Sequence, residues 1–557
     1  MNKIFSFFIL YITFISIVGC TAQKKLNPIK APAVTFRNSL PINIRDNWQL
    51  LDIEKDTLAG TSLNRAYSEI IKNKKGKQVI VAVIDTDIDI NHEDLKSALW
   101  VNKNEIPNNG IDDDHNGYID DINGWNFLGN PKGGDDVIYS NTESTRIIRY
   151  LKKNYPNYPN FSGNKTDSLL NIKAINRYNN DREVTGNLKA YASSNLVKYR
   201  KGVNELEGPF HISKFDLRQY DSLYKSVKNT KPELIESILF MRTMYRLNKS
   251  EKVLKNDSIK IEDQYRTTFN EEYYDRAILK DNEFDLRDNH YGNNNVYKNA
   301  EWTYHGTMVT GLIGATRKNN IGIEGFSDNI KIMPIRAIPN GGTEHDKDVA
   351  LAIRYAVDNG AQIINMSFGK LSCFHPEWIK DAFLYAQEHN VLLVAGSGND
   401  SSDNDLTAFY PIDYDLKTGE EFCNNFIKVG AITLDGDKYF LATFTNYGKK
   451  TVDTFAPGFF LKTTYAGNKY YYRDGTSMAS PIVCGVAALV LSYYPKLKAS
   501  QVKQIILDSG VSYDMQVLVP GEKDGKTKSF SELSKSGKVV NAYNALLMAE
   551  EYNKRKK

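Results

Sequence analysis

A carboxylate, an imidazole and a hydroxyl stand at three points of the chain where folding could bring them to one end of a sheet. Asp85 ends the run Val79-Ile80-Val81-Ala82-Val83-Ile84, a continuous apolar, β-branched stretch of the kind that fills a buried parallel strand. His305 opens the small-residue stretch His305-Gly306-Thr307-Met308-Val309-Thr310-Gly311, whose glycines would let a helix press close against that sheet. Ser477 opens a long apolar helical pattern in Gly475-Thr476-Ser477-Met478-Ala479-Ser480-Pro481, with Pro481 expected in the first turn, where a missing N–H costs least. A fourth element, Val391 to Ala395 followed by Gly396-Ser397-Gly398-Asn399, is a buried strand running into glycines and an asparagine. Acyl transfer from an amide needs these groups: a hydroxyl made nucleophilic, a base that later returns the proton, a carboxylate that orients the base, and a donor for the developing oxyanion. Taken singly, Asp85 or His305 is more often a satisfied polar group at a strand end or helix start. The coincidence of four elements carries the inference.

A second cluster has the spacing of a cation loop. Asp112, Asp114, Asn116 and Asp120 occupy the first, third, fifth and ninth places of an EF-hand-like pattern, with Gly117 at the sixth for the sharp turn. Asn123 stands at the twelfth place instead of glutamate, so Asp120 or Asp121 would have to complete the shell. Without a cation, carboxylates this close would repel. A structural calcium is therefore expected, and no organic cofactor.

The elements that must position these groups alternate. Apolar runs at Ile330 to Ile338, Gln362 to Met366, Val391 to Ala395 and Phe426 to Ile432 are separated by amphipathic patterns such as Val349 to Val357 and Trp378 to Glu388, which predicts a doubly wound, mostly parallel α/β sheet. In such sheets chemistry gathers at the carboxyl ends of strands. Between about residues 130 and 295 the composition shifts to Tyr, Asn, Lys and Asp, with candidate helices at Pro232 to Leu254 and Asp263 to Leu279, and this stretch reads as a mainly helical insertion. Further helices are expected at Ser500 to Leu507 and Val539 to Glu550.

At 557 residues, with 41% hydrophobic and 25% charged residues, the chain can bury a large core. The net charge of +4 and the lack of a concentrated basic block outside residues 551–557 argue against nucleic acid as a partner. Lys3 precedes an apolar run from Ile4 to Val18, about 15 residues, short for a membrane span and right for an export signal ending at residue 19. Residues 20–47 then read as a polar tether, 48–550 as the enzyme domain and 551–557 as a solvated basic tail. Cys484 falls in an apolar helical run and is expected to be a buried thiol, while Cys373 and Cys423 could pair as a disulfide.

Val83-Ile84-Asp85-Thr86 with His92-Glu93-Asp94-Leu95, His305-Gly306-Thr307 and Gly475-Thr476-Ser477-Met478-Ala479-Ser480-Pro481, in the order Asp, His, Ser, resemble the subtilisin-like serine proteases, the subtilase family. The resemblance runs from Trp48 to about Glu550 outside the insertion. It implies a catalytic triad of Asp85, His305 and Ser477, with Asn399 in the oxyanion hole. It further implies that Ser367-Phe368-Gly369 and Ala395-Gly396-Ser397 line the groove for an extended peptide, with broad preference for apolar or aromatic side chains. Ile17-Val18-Gly19-Cys20 is similar to the lipobox of bacterial lipoproteins, which implies a lipid on Cys20 holding an exported enzyme on a membrane.

Three features depart from the family pattern. Asp87 stands where glycine is usual, and a second charge there could raise the histidine's basicity; Met308 and Thr310 replace a histidine and an alanine; and Asp85 and His305 are 220 positions apart. The insertion could act as a lid or bind an unknown partner. Two alternatives to a general endopeptidase are a dedicated peptide maturase and a catalytically idle surface-binding protein on the same scaffold.

Overall fold

The computed structural model of the chain describes residues 26–31, 46–72, 74–161, 165–212, 217–246, 249–298 and 304–555. The expected export signal and Cys20 lie outside the described residues, as does most of the expected tether.

Thirteen strands occur among the described residues. In chain order they are β1 (Val79–Asp85), β2 (Trp125–Asn126), β3 (Ile330–Arg336), β4 (Ile363–Met366), β5 (Leu392–Gly396), β6 (Phe426–Ile432), β7 (Thr454–Pro457), β8 (Leu461–Tyr465), β9 (Lys469–Arg473), β10 (Val511–Ser512), β11 (Gln516–Leu518), β12 (Thr527–Ser529) and β13 (Lys538–Val539). Nine form one sheet in the order β10-β13-β7-β6-β5-β4-β1-β3-β2. All of its neighbours are parallel except the β10–β13 pair.

The sheet is covered on both faces, so its central strands β1, β4 and β5 are near-continuously apolar rather than apolar at alternate positions. Along β1, Val81 and Val83 point into one core with Met308, Val309, Ile482 and Val486. Ala82 and Ile84 point into the other with Ile335, Ile353, Ile364 and Phe383. Strand β1 lies between β3 and β4, with Asp85 opposite Arg336 and Ile84 opposite Met366. After β1 the chain builds the sheet in both directions, so a crevice opens at the carboxyl ends of β1 and β4. The helix Thr476–Tyr493 is long and apolar enough to cross a membrane, yet 89% of it is buried against this sheet.

The expected helices flanking the sheet form at Asp346–Asp358, Pro376–Glu388, Ala499–Ser509 and Ala542–Arg555, the last running into the expected basic tail. The insertion differs in detail from expectation. Its first helices are Glu143–Asn154 and Lys165–Gly202, and the latter, at 38 residues the longest described, has no apolar stripe that would have marked it in the sequence. The stretch expected as one helix from Pro232 to Leu254 is broken: Ile235–Arg246 ends, and Ser250 starts Glu251–Thr268 by accepting from the Val253 N–H at 3.4 Å. The insertion has a small core of its own around Tyr199, Leu206, Tyr220, Ile238 and Met241.

Two further expectations are corrected. Cys373 and Cys423 are both free thiols: Cys373 Sγ donates to Asp346 Oδ1 at 3.2 Å, and Cys423 is buried against the second core. Part of the expected tether is docked. Ile29 is buried, and its N–H and C=O pair with the Asn544 side-chain amide at 2.7 and 3.0 Å.

Candidate active site

Asp85 reaches the crevice as the last residue of β1 and is almost fully buried. Its Oδ1 accepts from the Thr86 N–H at 2.7 Å and lies 2.8 Å from His305 Nδ1. That contact places the ring hydrogen on Nδ1 and leaves Nε2 as the basic nitrogen. Burial pulls the His305 pKa down and the charge of Arg473 adds to that, but the Asp85 carboxylate outweighs both by charge and by hydrogen bond. The net shift is upward from the ordinary imidazole value.

His305 is the first residue of the helix His305–Gly314, and the start of this helix is pinned to the loop after β1. The Gly306 N–H donates to Thr86 Oγ1 at 3.0 Å, and Thr307 Oγ1 accepts from the Asp89 N–H at 2.9 Å. A Cβ on Gly306 would stand 2.6 Å from the Thr86 carbonyl oxygen, so only glycine permits this approach. Asp87 does not add a free charge beside Asp85 and His305. Its carboxylate pairs with Arg336 from the neighbouring strand, and both side chains are 2% exposed.

Ser477 lies in the first turn of the helix Thr476–Tyr493, which begins one residue earlier than the sequence pattern implied. Pro481 is therefore its sixth residue, inside the helix, where its missing N–H leaves the Ser477 carbonyl without the usual i+4 donor. The Ser367 hydroxyl supplies that bond at 2.8 Å. Asn365 Nδ2 in turn donates to Ser367 Oγ at 2.9 Å, and Asn365 Oδ1 accepts from Ser480 Oγ at 2.7 Å, so a buried polar chain fixes the serine's backbone. Gly475, at φ 146°, holds a conformation that L side chains rarely adopt, and a Cβ there would lie 3.0 Å from Ser477 Oγ and 3.7 Å from Asn399 Nδ2. The serine hydroxyl and the asparagine amide thus converge on the space in front of Gly475. Asn399 Oδ1 accepts from Thr476 N and Thr476 Oγ1 at 2.9 and 3.1 Å, which turns the NH2 end of the side chain away from that anchor.

His305, Asn399 and Ser477 line one cleft of about 280 Å3, together with Ser367, Phe368, Gly369 and Gly396. Two expected lining residues are absent from it. Ala395 and Ser397 are fully buried, and Ser397 Oγ donates to the Asn446 carbonyl at 2.9 Å, because alternate residues of an extended segment point to opposite sides. Sequence reasoning missed Thr476, which clamps Asn399, and Thr343 and Phe409, which also line the cleft. The segment bearing Phe409 is held by Lys428 Nζ, which donates to the Phe409 and Pro411 carbonyls at 2.5 Å each. Burial drives this ammonium down to about 7 against the pull of Asp413 and Asp453.

The acidic loop brings a further carboxylate, Glu105, to two of the expected ligands. Asp112 accepts from the Asn116 and Gly117 N–H groups at 3.1 and 2.8 Å, Asp120 from those of Asn109 and Gly110 at 3.1 and 2.9 Å, and Glu105 from those of Asp113, Asp114 and Asp120 at 2.9, 3.2 and 3.0 Å. Glu105, Asp114 and Asp121 converge, with one carboxylate oxygen of each within 4.8 Å of the others. Asn116 adjoins them, its Nδ2 donating to Asp114 and Asp121 at 3.3 and 3.2 Å. Burial raises the Asp121 pKa to about 6 against hydrogen bonds from Tyr355, Asn102 and Asn116, and the Asp114 charge adds to the rise. Such a cluster of mutually repelling carboxylates, Glu105 and Asp121 buried and Asp114 half-buried, fits a hard cation. Glu105 lies outside the loop's periodic pattern, which is why the sequence did not reveal it.

The profile of the subtilase family matches residues 76–536. A thermophilic serine proteinase of Bacillus sp. (strain AK1) is 40% identical over 199 residues, 36% of this chain and 45% of that protein. Subtilisin DY of Bacillus licheniformis is 35% identical over 206 residues, 37% of this chain and 69% of that protein. The solved structure of a prenylagaramide maturation protease is similar with a TM-score of 0.36 and 26% identity, over 44% of this chain and 82% of that one. The match thus spans less than half the length of the first of these relatives.

Proposed function

The chain belongs to the subtilase family, and we propose that it is an exported, lipid-anchored serine endopeptidase that cleaves extended protein or peptide substrates. The observation that carries this reading is the convergence of the Asp85–His305 hydrogen bond, the Ser477 hydroxyl and the clamped Asn399 amide on one cleft. Ser477 Oγ attacks the scissile carbonyl carbon while its proton passes to His305 Nε2, and Asp85 stabilises the imidazolium that results. The carbonyl oxygen becomes an oxyanion held by Asn399 Nδ2–H and the Ser477 N–H at the positive end of the Thr476–Tyr493 helix. His305 then gives the proton to the leaving amine, which departs and leaves an acyl-enzyme. Water repeats the sequence in reverse roles, freeing the acid product and restoring the Ser477 hydroxyl.

Export and a lipid on Cys20 would place this cleft outside the cytoplasm on a membrane surface, with the chain docked on the enzyme at Ile29, nine residues after Cys20. Calcium at Glu105, Asp114 and Asp121 would offset most of the charge of the three carboxylates and tie the loop together. Its role there is structural, since none of these residues lines the cleft. Chelation with EGTA should therefore lower the melting temperature, and Asp114→Asn should weaken calcium binding measured by titration calorimetry. The same melting curve with and without calcium would remove the ion from the account.

The experiment for the main reading is hydrolysis of unfolded casein by the native chain and by Ser477→Ala. The expected loss is about 10^6-fold in kcat, a magnitude carried over from subtilisin itself. Equal hydrolysis by the two proteins contradicts the reading.

A further inference from the structure

We propose that the helical insertion builds one wall of the substrate groove and equips it with a subsite for a basic side chain, lysine or arginine, an inference that rests on the peptidase reading above. A cavity of about 240 Å3 adjoins the catalytic cleft and shares Thr343, Gly369, Asn399 and Phe409 with it. Its far wall comes from the insertion: Arg177 and Asp181 on the helix Lys165–Gly202, and Thr142 to Ser144 at the start of Glu143–Asn154. The space suits one long side chain better than an organic ligand, whose pockets run to roughly 300–1,000 Å3. Because Asn399 borders both spaces, a side chain lodged here belongs to a residue close to the bond that is cut.

The sign of the charge follows from which groups are already engaged. Glu143 and Lys370 also line the cavity, but they are buried and consumed by a network: Glu143 Oε2 meets Arg146 at 2.5 Å, and Lys370 Nζ meets Glu143 and Asp346 at 2.7 Å each. Three charges remain on the open side. Arg177 Nε pairs with Asp181 Oδ2 at 2.8 Å, while Asp400 is exposed and takes part in no ion pair among the described residues. Two carboxylates thus face one guanidinium. Asp181 feels this excess: burial and the charge of Asp400 push its pKa up while Arg177 pulls it down, and the net shift is upward. A lysine or arginine laid over Gly369 and Phe409 would cover its apolar stem and bring its cation to Asp181 and Asp400. A leucine would bury the excess charge without a partner, and a glutamate would add a third carboxylate.

The test is binding, so that it stands apart from turnover. Fluorescein-labelled octa-alanine peptides, each carrying one Lys, Leu or Glu at a scanned position, are titrated into the full chain bearing Ser477→Ala. The best lysine peptide should bind about tenfold more tightly than its leucine counterpart, and the glutamate peptide least tightly. Asp181→Asn combined with Asp400→Asn should erase the lysine advantage, and Arg177→Gln should enlarge it. A merely structural role for these residues would weaken all peptides alike and leave the ratio unchanged, which overturns the subsite. Equal binding of lysine and leucine peptides, or no binding by any peptide, overturns it too. Casein hydrolysis by the native chain judges the peptidase reading separately.

Discussion

The sheet and the insertion are held together by opposite means. Strands β1, β4 and β5 bury apolar side chains on both faces, and the few polar groups admitted, Asp85 and Asn365, each serve the site. The insertion is fastened to the sheet layer largely by buried charge. Arg276 pairs with Asp281 at 2.5 Å and Asp348 at 2.8 Å, and Lys347 with Asp281 at 2.6 Å; the two acidic and two basic side chains are all at most 1% exposed. Tyr291 adds a bond to Asp348 at 2.5 Å. A second network, Arg146-Glu143-Lys370-Asp346, locks the start of the insertion to the flank of the cleft. Apolar burial tolerates many arrangements of similar volume, whereas a shift that separates the partners of a buried ion cluster leaves uncompensated charges and is costly. The difference teaches that the insertion is set in a fixed pose beside the cleft rather than tethered loosely to the sheet.

The strongest way to break this comparison is Arg276→Met. It leaves Asp281 and Asp348 buried with less countercharge and should cost about 3–5 kcal/mol, read by urea unfolding. Hydrogen exchange should quicken first in residues 275–290 and 346–358, before β1 and β5. Uniform acceleration across the sheet would mean that the two regions share one mode of cohesion. Next comes Asn399→Ala, which removes a donor from the site and leaves both fastening networks intact. It should lower kcat by about 10^2–10^3-fold, again a magnitude known from subtilisin itself, with only about 1 kcal/mol lost in stability from the two bonds to Thr476. A fall in stability as large as that expected for Arg276→Met would make Asn399 a structural residue.

The mildest probe is pH. In the proposed mechanism His305 must be neutral to accept the Ser477 proton, and its pKa is shifted upward. Activity should therefore fall on acidification through a midpoint above about 6.5, read from the acid limb of kcat/KM. A midpoint below that value would show that the Asp85 contact does not govern the base.

What could be read from the sequence follows the same division. Strand β1 was visible because a strand buried on both faces is apolar throughout, and Asp85 at its exit stood out for that reason. The helix Lys165–Gly202 was invisible because it carries polar residues nearly all round and takes its support from neighbouring helices and ion pairs. Ser477 was legible from its motif, but the Ser367 hydroxyl that replaces the missing Pro481 N–H was not, since that bond joins positions 110 residues apart. In the acidic loop, periodic spacing pointed to Asp112, Asp114, Asn116 and Asp120 and passed over Glu105, which precedes the pattern in the chain and sits with Asp114 and Asp121.

The central claim is that Ser477 is made nucleophilic by its place in this cleft. Labelling of the full chain with a fluorophosphonate, followed by mass spectrometry of the modified peptide, tests it most directly. The account predicts one adduct, on Ser477, that forms on the native chain and is lost both in Ser477→Ala and after denaturation. An adduct on another serine, or labelling that persists in the alanine variant, would contradict it.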